Sequence, residues 1–70
     1  MDGSTYKIIE LAGASETSWE EAAKSAIATA GETLRGQRIA EVIQQDVTIE
    51  GGKITSFRVR LNISFRYEEG

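Results

Sequence analysis

Asp46, Thr48 and Glu50 alternate along the segment QQDVTIE, which places three oxygen-bearing side chains on one face of an extended chain. A hard cation takes about six to eight oxygen ligands, so this row could supply part of its shell and a second copy of the chain the rest. No EF-hand spacing is present, and polar side chains beside a turn are also explained as simply solvated. Arg58, Arg60 and Arg66 form a basic row that could bind phosphate, but ion pairing with Glu41 or a neighbour's carboxylate is the reading Arg favours. Trp19 could be a ligand platform, or an apolar residue opening a helix stripe. Glu41 and Asp46 could pose as an acid–base pair, but strict alternation sets them on opposite faces of a strand. Ser15 and Ser18 have no base to activate them, since the chain contains no His. Nothing in this inventory supports catalysis.

Composition narrows the classes further. The 70 residues are expected to form one domain spanning 1–70, and chains this short need a staple to reach useful stability. There is no Cys, so neither disulfides nor thiolate metal sites can serve. Oligomerisation is the staple left. The missing Cys fits a cytoplasmic protein. A net charge of −3 argues against general nucleic-acid binding. No apolar run approaches the roughly 20 residues of a membrane span.

The elements that must position these side chains are readable from periodicity. Tyr6 to Leu11 is a strand and Ala12 to Thr17 a turn. Ser18 with Glu21 forms a capping box, and a helix follows from Ser18 to Arg35. Trp19, Ala22, Ala23, Ala26, Ile27, Ala30 and Leu34 make its apolar stripe, and Gly36 its left-handed stop. Arg38 to Glu50 is a long strand. Lys53 to Glu68 is another, with Phe57, Val59, Leu61, Ile63, Phe65 and Tyr67 on one face and Arg58, Arg60, Asn62, Ser64 and Arg66 on the other.

Gly51 and Gly52 between them predict a two-residue turn with both residues at positive φ. Such a turn sets one frame: Glu50 opposite Lys53, Gln45 opposite Arg58, Glu41 opposite Asn62, Ala40 opposite Ile63. Ala40, Val42 and Val59 to Phe65 then cover the helix. Ile39, Gln45 and Arg58 share the other face with Glu41, Ile43, Val47 and Ile49. That face has too many aliphatics for a solvated surface and reads as a subunit interface or ligand wall. A bulge in either strand would shift these pairings. The fold class is α+β: a β-α-β-β order with a three-stranded antiparallel sheet wrapped around one helix.

YKIIELAGASETSWEEAAKSAIATAGETLR, IAEVIQQD and RVRLNISFRYE resemble the dodecin family over nearly the whole chain, most specifically in the YKIIEL strand, the SETSWE helix start and the SFR segment. The resemblance implies a hollow homo-dodecamer in cubic 23 symmetry, with no nucleic-acid or membrane partner. In flavin-binding members it also implies FMN or riboflavin held in pairs at the twofold axes. There an indole stacks on the flavin from the position of Ile39, and a Gln amide reads its polar edge from the position of Arg58. Ile39 offers no aromatic plane and Arg58 only donors, so flavin stacking in the family manner is not expected. Trp19, at the helix start, cannot replace that indole. The QQDVTIE segment is similar to a second branch with an aliphatic residue and an Arg at these positions, which implies calcium binding instead. A calcium-type store, a ligand-free structural shell and flavin binding in a rearranged pocket all follow from the resemblance.

Overall fold

The computed structural model describes residues 3–33 and 35–66. Four elements follow in the expected order: β1 (Tyr6–Ser15), α1 (Trp19–Thr33), β2 (Gln37–Glu50) and β3 (Lys53–Arg66). The strands form one antiparallel sheet in the order β1-β3-β2, so β3 is central and the other two are edges. Leu34 and Tyr67 to Glu68, assigned above to the helix stripe and the last strand, lie outside the described residues.

The helix starts where the cap places it. Ser18 Oγ accepts from the Glu21 N–H at 3.1 Å, and the Ser18 carbonyl accepts from the Ala22 N–H at 3.1 Å. The Glu21 carboxylate lies 3.6 Å from Lys24 Nζ, on the helix surface. At the other end the helix runs to Thr33, two residues short of the expected Arg35, and Gly36 beyond it takes φ 78°. The Gln37 side chain then donates to the Ile27 carbonyl at 3.2 Å, tying the start of β2 to the helix.

The first strand is longer than expected. Ala12 to Ser15 do not turn away but continue β1, pairing with Phe57 to Arg60 of β3. Small residues here are a packing requirement rather than a turn signal. Gly13 faces the helix so closely that an added Cβ would sit 2.3 Å from the Ala22 carbonyl oxygen. The turn itself is confined to Glu16–Ser18, with the Thr17 N–H donating to Ser15 Oγ at 2.9 Å.

The core is thin and one-sided. Ala22, Ala26 and Ala30 of the helix pack on Val59, Leu61, Ile63 and Phe65 of β3, with Ile9, Leu11, Ala23 and Ile27 at its margin. Alternation puts these four β3 side chains on one face, and the Ala stripe lets the helix lie close to it. The helix covers β1 and β3 but little of β2, so Val42 keeps 48 % of its surface exposed although it stands opposite Leu61. Tyr6, Ile8, Ile39, Ile43, Ile49 and Ile54 are also exposed.

Gly51 and Gly52 take φ 59° and 78°, as the two-residue turn requires. The pairings Glu50–Lys53, Glu41–Asn62 and Ala40–Ile63 stand as expected. Between them the frame differs. Thr55 is left over on β3 and Ile43 on β2, so Gln44 to Thr48 pair one residue further along β3. Arg58 therefore stands opposite Asp46, not Gln45, and Gln45 stands opposite Val59 on the helix side.

Candidate functional site

The face of the sheet turned away from the helix is organised in rows that run across all three strands. Ile8, Ser64 and Ile39 form one row, then Glu10, Asn62 and Glu41, then Ala12, Arg60 and Gln44, then Ala14, Arg58 and Asp46. Charge changes from row to row along the strands: aliphatic, acidic, basic, then an ion pair.

The ion pair is the most ordered feature of this wall. Arg58 Nε and Nη2 donate to the two carboxylate oxygens of Asp46, each at 2.8 Å. This bidentate fork is the strongest geometry available to the two groups. Arg60 Nε lies 3.3 Å from Glu10 Oε2, reaching diagonally to β1. Glu41, weighed above as a partner for the Arg row, stands across from Asn62, as the frame of the turn predicts. The bulge at Ile43 also brings Glu41 and Asp46 onto the same face, contrary to strict alternation. They remain about 13 Å apart, four β3 residues at roughly 3.3 Å each, too far to exchange a proton directly.

Trp19 joins this site from the other side of the fold. Its Nε1 donates to the Asp46 carbonyl at 3.0 Å, and its ring meets Phe57 edge-on with centroids 5.2 Å apart. Sequence spacing hides this contact because the partners are 27 residues apart. Next to it, Thr48 Oγ1 lies 2.7 Å from both Thr55 Oγ1 and Ser56 Oγ, and the Thr55 hydroxyl also donates to the Thr48 carbonyl at 3.3 Å.

Hydrogen bonds from Arg58 hold the Asp46 carboxyl below the usual carboxylate range against a smaller opposing effect of desolvation, and the charges of Arg58 and Arg60 add to the lowering. A depressed folded-state pKa contributes stability above the unfolded value of about 3.9 that is lost as pH falls through the folded value. Both side chains are half-exposed, so the contribution is modest. Between about pH 5 and pH 2, urea midpoints of the Asp46→Asn variant are expected to fall less than those of the parent chain. Parallel pH profiles would show that the pair carries no stability.

The proposed site residues are distributed as follows. Ile39 and Arg58 share the outer face but are separated by six β3 positions, roughly 20 Å, so one chain does not close a pocket around both. Ile39 is 64 % exposed, and its carbonyl accepts from Ser64 Oγ at 3.4 Å. Gln45 lies on the opposite face from both. Asp46 and Thr48 share the outer face, and Glu50 sits at the turn opposite Lys53. The Asp46 oxygens are engaged by Arg58, and among the described residues no three acidic side chains converge. One chain alone therefore does not offer the oxygen set a calcium ion needs.

A single helix lies on one face of a three-stranded antiparallel sheet, and the other face stays open. The family model for Dodecin matches residues 5–68, and the chain belongs to the dodecin family. It is 44 % identical over 64 residues to the calcium dodecin of Mycobacterium tuberculosis, covering 90 % of this chain and 89 % of that protein. The dodecin of Thermus thermophilus is 39 % identical, over 96 % and 97 % of the two chains. The crystal structure of the Mycobacterium tuberculosis calcium dodecin, described as having a novel calcium-binding site, superposes with a TM-score of 0.81 at 39 % identity over 94 % of each chain. The structure of Streptomyces coelicolor dodecin gives 0.92 at 34 % identity over the full length of both.

Proposed function

We propose that this chain is the subunit of a hollow homo-dodecameric shell in the cytoplasm that holds a small ligand or cation at its subunit boundaries and catalyses no reaction. The observation that carries this reading is the roughly 20 Å separation of Ile39 and Arg58 on one exposed face: only a second copy can bring the two side chains to a common ligand. The open aliphatics Ile8, Ile39, Ile43 and Val42 supply the surface such contacts bury. An isoleucine in place of the stacking indole removes an interaction worth about 1–3 kcal/mol, by analogy with base–aromatic stacking. Arg58, turned to Asp46, presents no acceptor to a flavin edge. The identity with a calcium dodecin favours a cation as the cargo. Asp46, Thr48 and Glu50 would then act with oxygens from neighbouring copies, Asp46 exchanging Arg58 for the ion.

Native mass spectrometry of protein purified without added ligand tests this directly. Twelve subunits with added mass matching calcium support the reading, and twelve bare subunits that take up no calcium favour a purely structural shell. Added flavin mass would mean a rearranged flavin pocket. A monomer would overturn the assembly altogether.

A further inference from the structure

We propose that the segment Gln44 to Thr48 of β2 can pair with β3 in either of two frames, and that the frame decides whether Asp46 or Gln45 stands beside Arg58. The pairs on both sides of the segment already obey a common frame. Glu50–Lys53 and Ile49–Ile54 follow the turn, and Val42–Leu61, Glu41–Asn62, Ala40–Ile63 and Ile39–Ser64 continue it. The segment departs from this frame at Thr55 and returns to it at Ile43, so the two irregularities cancel. From Ile39 to Glu50 the same two strands thus have a second pairing that needs neither of these bulges; the irregularity between Gln37 and Ile39 lies beyond it. In it Gln45 faces Arg58, Ile43 faces Arg60, and Asp46 moves to the helix side opposite Phe57. A shift of one residue exchanges the faces of a whole strand segment, which makes the two frames chemically distinct.

Three features let β2 move alone. It is an edge strand with no partner beyond β3 in the sheet. On the other side of β3 the pairing with β1 runs from Tyr6–Arg66 to Ser15–Phe57 without a break. The helix hardly covers β2. Thr48, moreover, already touches its partner in either frame, with Ser56 Oγ and Thr55 Oγ1 both at 2.7 Å.

The observed frame is held at Asp46. Its carboxylate grips Arg58 and its carbonyl accepts from Trp19 Nε1. The alternative frame would set that carboxylate against the Phe57 ring, which is unfavourable while it is charged and unpaired. The removal of two bulges offsets part of that loss. When the Asp46 carboxylate loses its charge and the ion pair with it, the segment relaxes into the frame of the turn. The wall then shows an amide beside an unpaired guanidinium, ready for an anionic ligand, in place of a closed ion pair.

The chain has no cysteine, so introduced thiol pairs can measure the frame without interference. Gln44→Cys with Arg60→Cys closes a disulfide in the observed frame, where the two stand opposite each other. Val47→Cys with Ser56→Cys closes one only in the other frame, because the observed frame points these side chains to opposite faces. Each pair is oxidised in the parent background, with Asp46→Asn, and with Asp46→Ser, both of which break the ion pair and remove the carboxylate charge. The 47–56 bridge is expected to form slowly in the parent and several-fold faster with either substitution, while the 44–60 bridge slows. An unchanged 47–56 rate in both variants would overturn the proposal. Loss of folding in both would do so equally, since no second frame would then exist to receive the segment. No ligand enters this measurement, so its failure leaves the proposed cargo function standing, and a shell without cargo leaves this test intact.

Discussion

Gly13→Ala is expected to destabilise the protein by about 1–3 kcal/mol, the range for forcing extra volume into a packed contact. For a chain of this size that corresponds to a fall in Tm of roughly 4–8 °C per kcal/mol. The added methyl would stand 2.3 Å from the Ala22 carbonyl oxygen and 3.0 Å from the Ala26 Cβ. The first of these is backbone, which no rotamer change can move aside. The helix must lift from β1, and its Ala stripe then loses contact with Leu61 and Ile63, the largest fully buried side chains. Gly31 supplies the control. Among the described residues a methyl there meets only Gln37 Nε2, at 3.7 Å, and Gly31→Ala is expected to stabilise by up to about 1 kcal/mol through helix propensity. Thermal melts of the two variants should move in opposite directions. If Gly13→Ala melts with the parent, the helix does not sit as closely on β1 as described.

Ile39→Trp combined with Arg58→Gln is expected to confer riboflavin binding, read as quenching of flavin fluorescence. The indole restores a stacking plane worth about 1–3 kcal/mol, and the amide restores an acceptor as well as a donor. Arg58→Gln leaves the Asp46 carboxylate without its guanidinium, but that group is half-exposed and water replaces the lost bonds at little cost. The two positions are roughly 20 Å apart in one chain and independent there. In a pocket completed by a second copy they meet on the same ligand. The gain in the double variant should therefore exceed the sum of the single gains. Additive gains would place the two side chains in separate sites, and no gain would remove the position-matched pocket.

How much of this was legible in the sequence depends on which signal each part leaves. The order of elements follows from periodicity and from Ser18, Gly36, Gly51 and Gly52, and both ends of the hairpin frame follow from the turn. The middle of that frame does not. Compensating bulges at Thr55 and Ile43 leave both flanks in register, so nothing in the hydrophobic pattern betrays the shift between them. The hidden stretch holds Gln45 and Asp46, and the sequence reading exchanged their faces. Gly13 misled in another way. Glycine marks a turn and a close approach alike, and only the position of the helix tells them apart. The Trp19–Asp46 bond joins distant segments and leaves no local pattern.

The order β1-β3-β2 has a consequence for how the chain acquires its structure. The strand made first pairs only with the strand made last, from Tyr6–Arg66 to Ser15–Phe57. Among the described residues, every buried side chain outside the helix belongs to β3. On the ribosome, β1 and the alanine-faced helix emerge with nothing to pack against, and the hairpin can close only once Lys53 onward is available. Such non-local pairing delays folding until late contacts compensate for closing the chain. Folding of the sheet thus waits on the synthesis of β3, the strand to which both of the others pair.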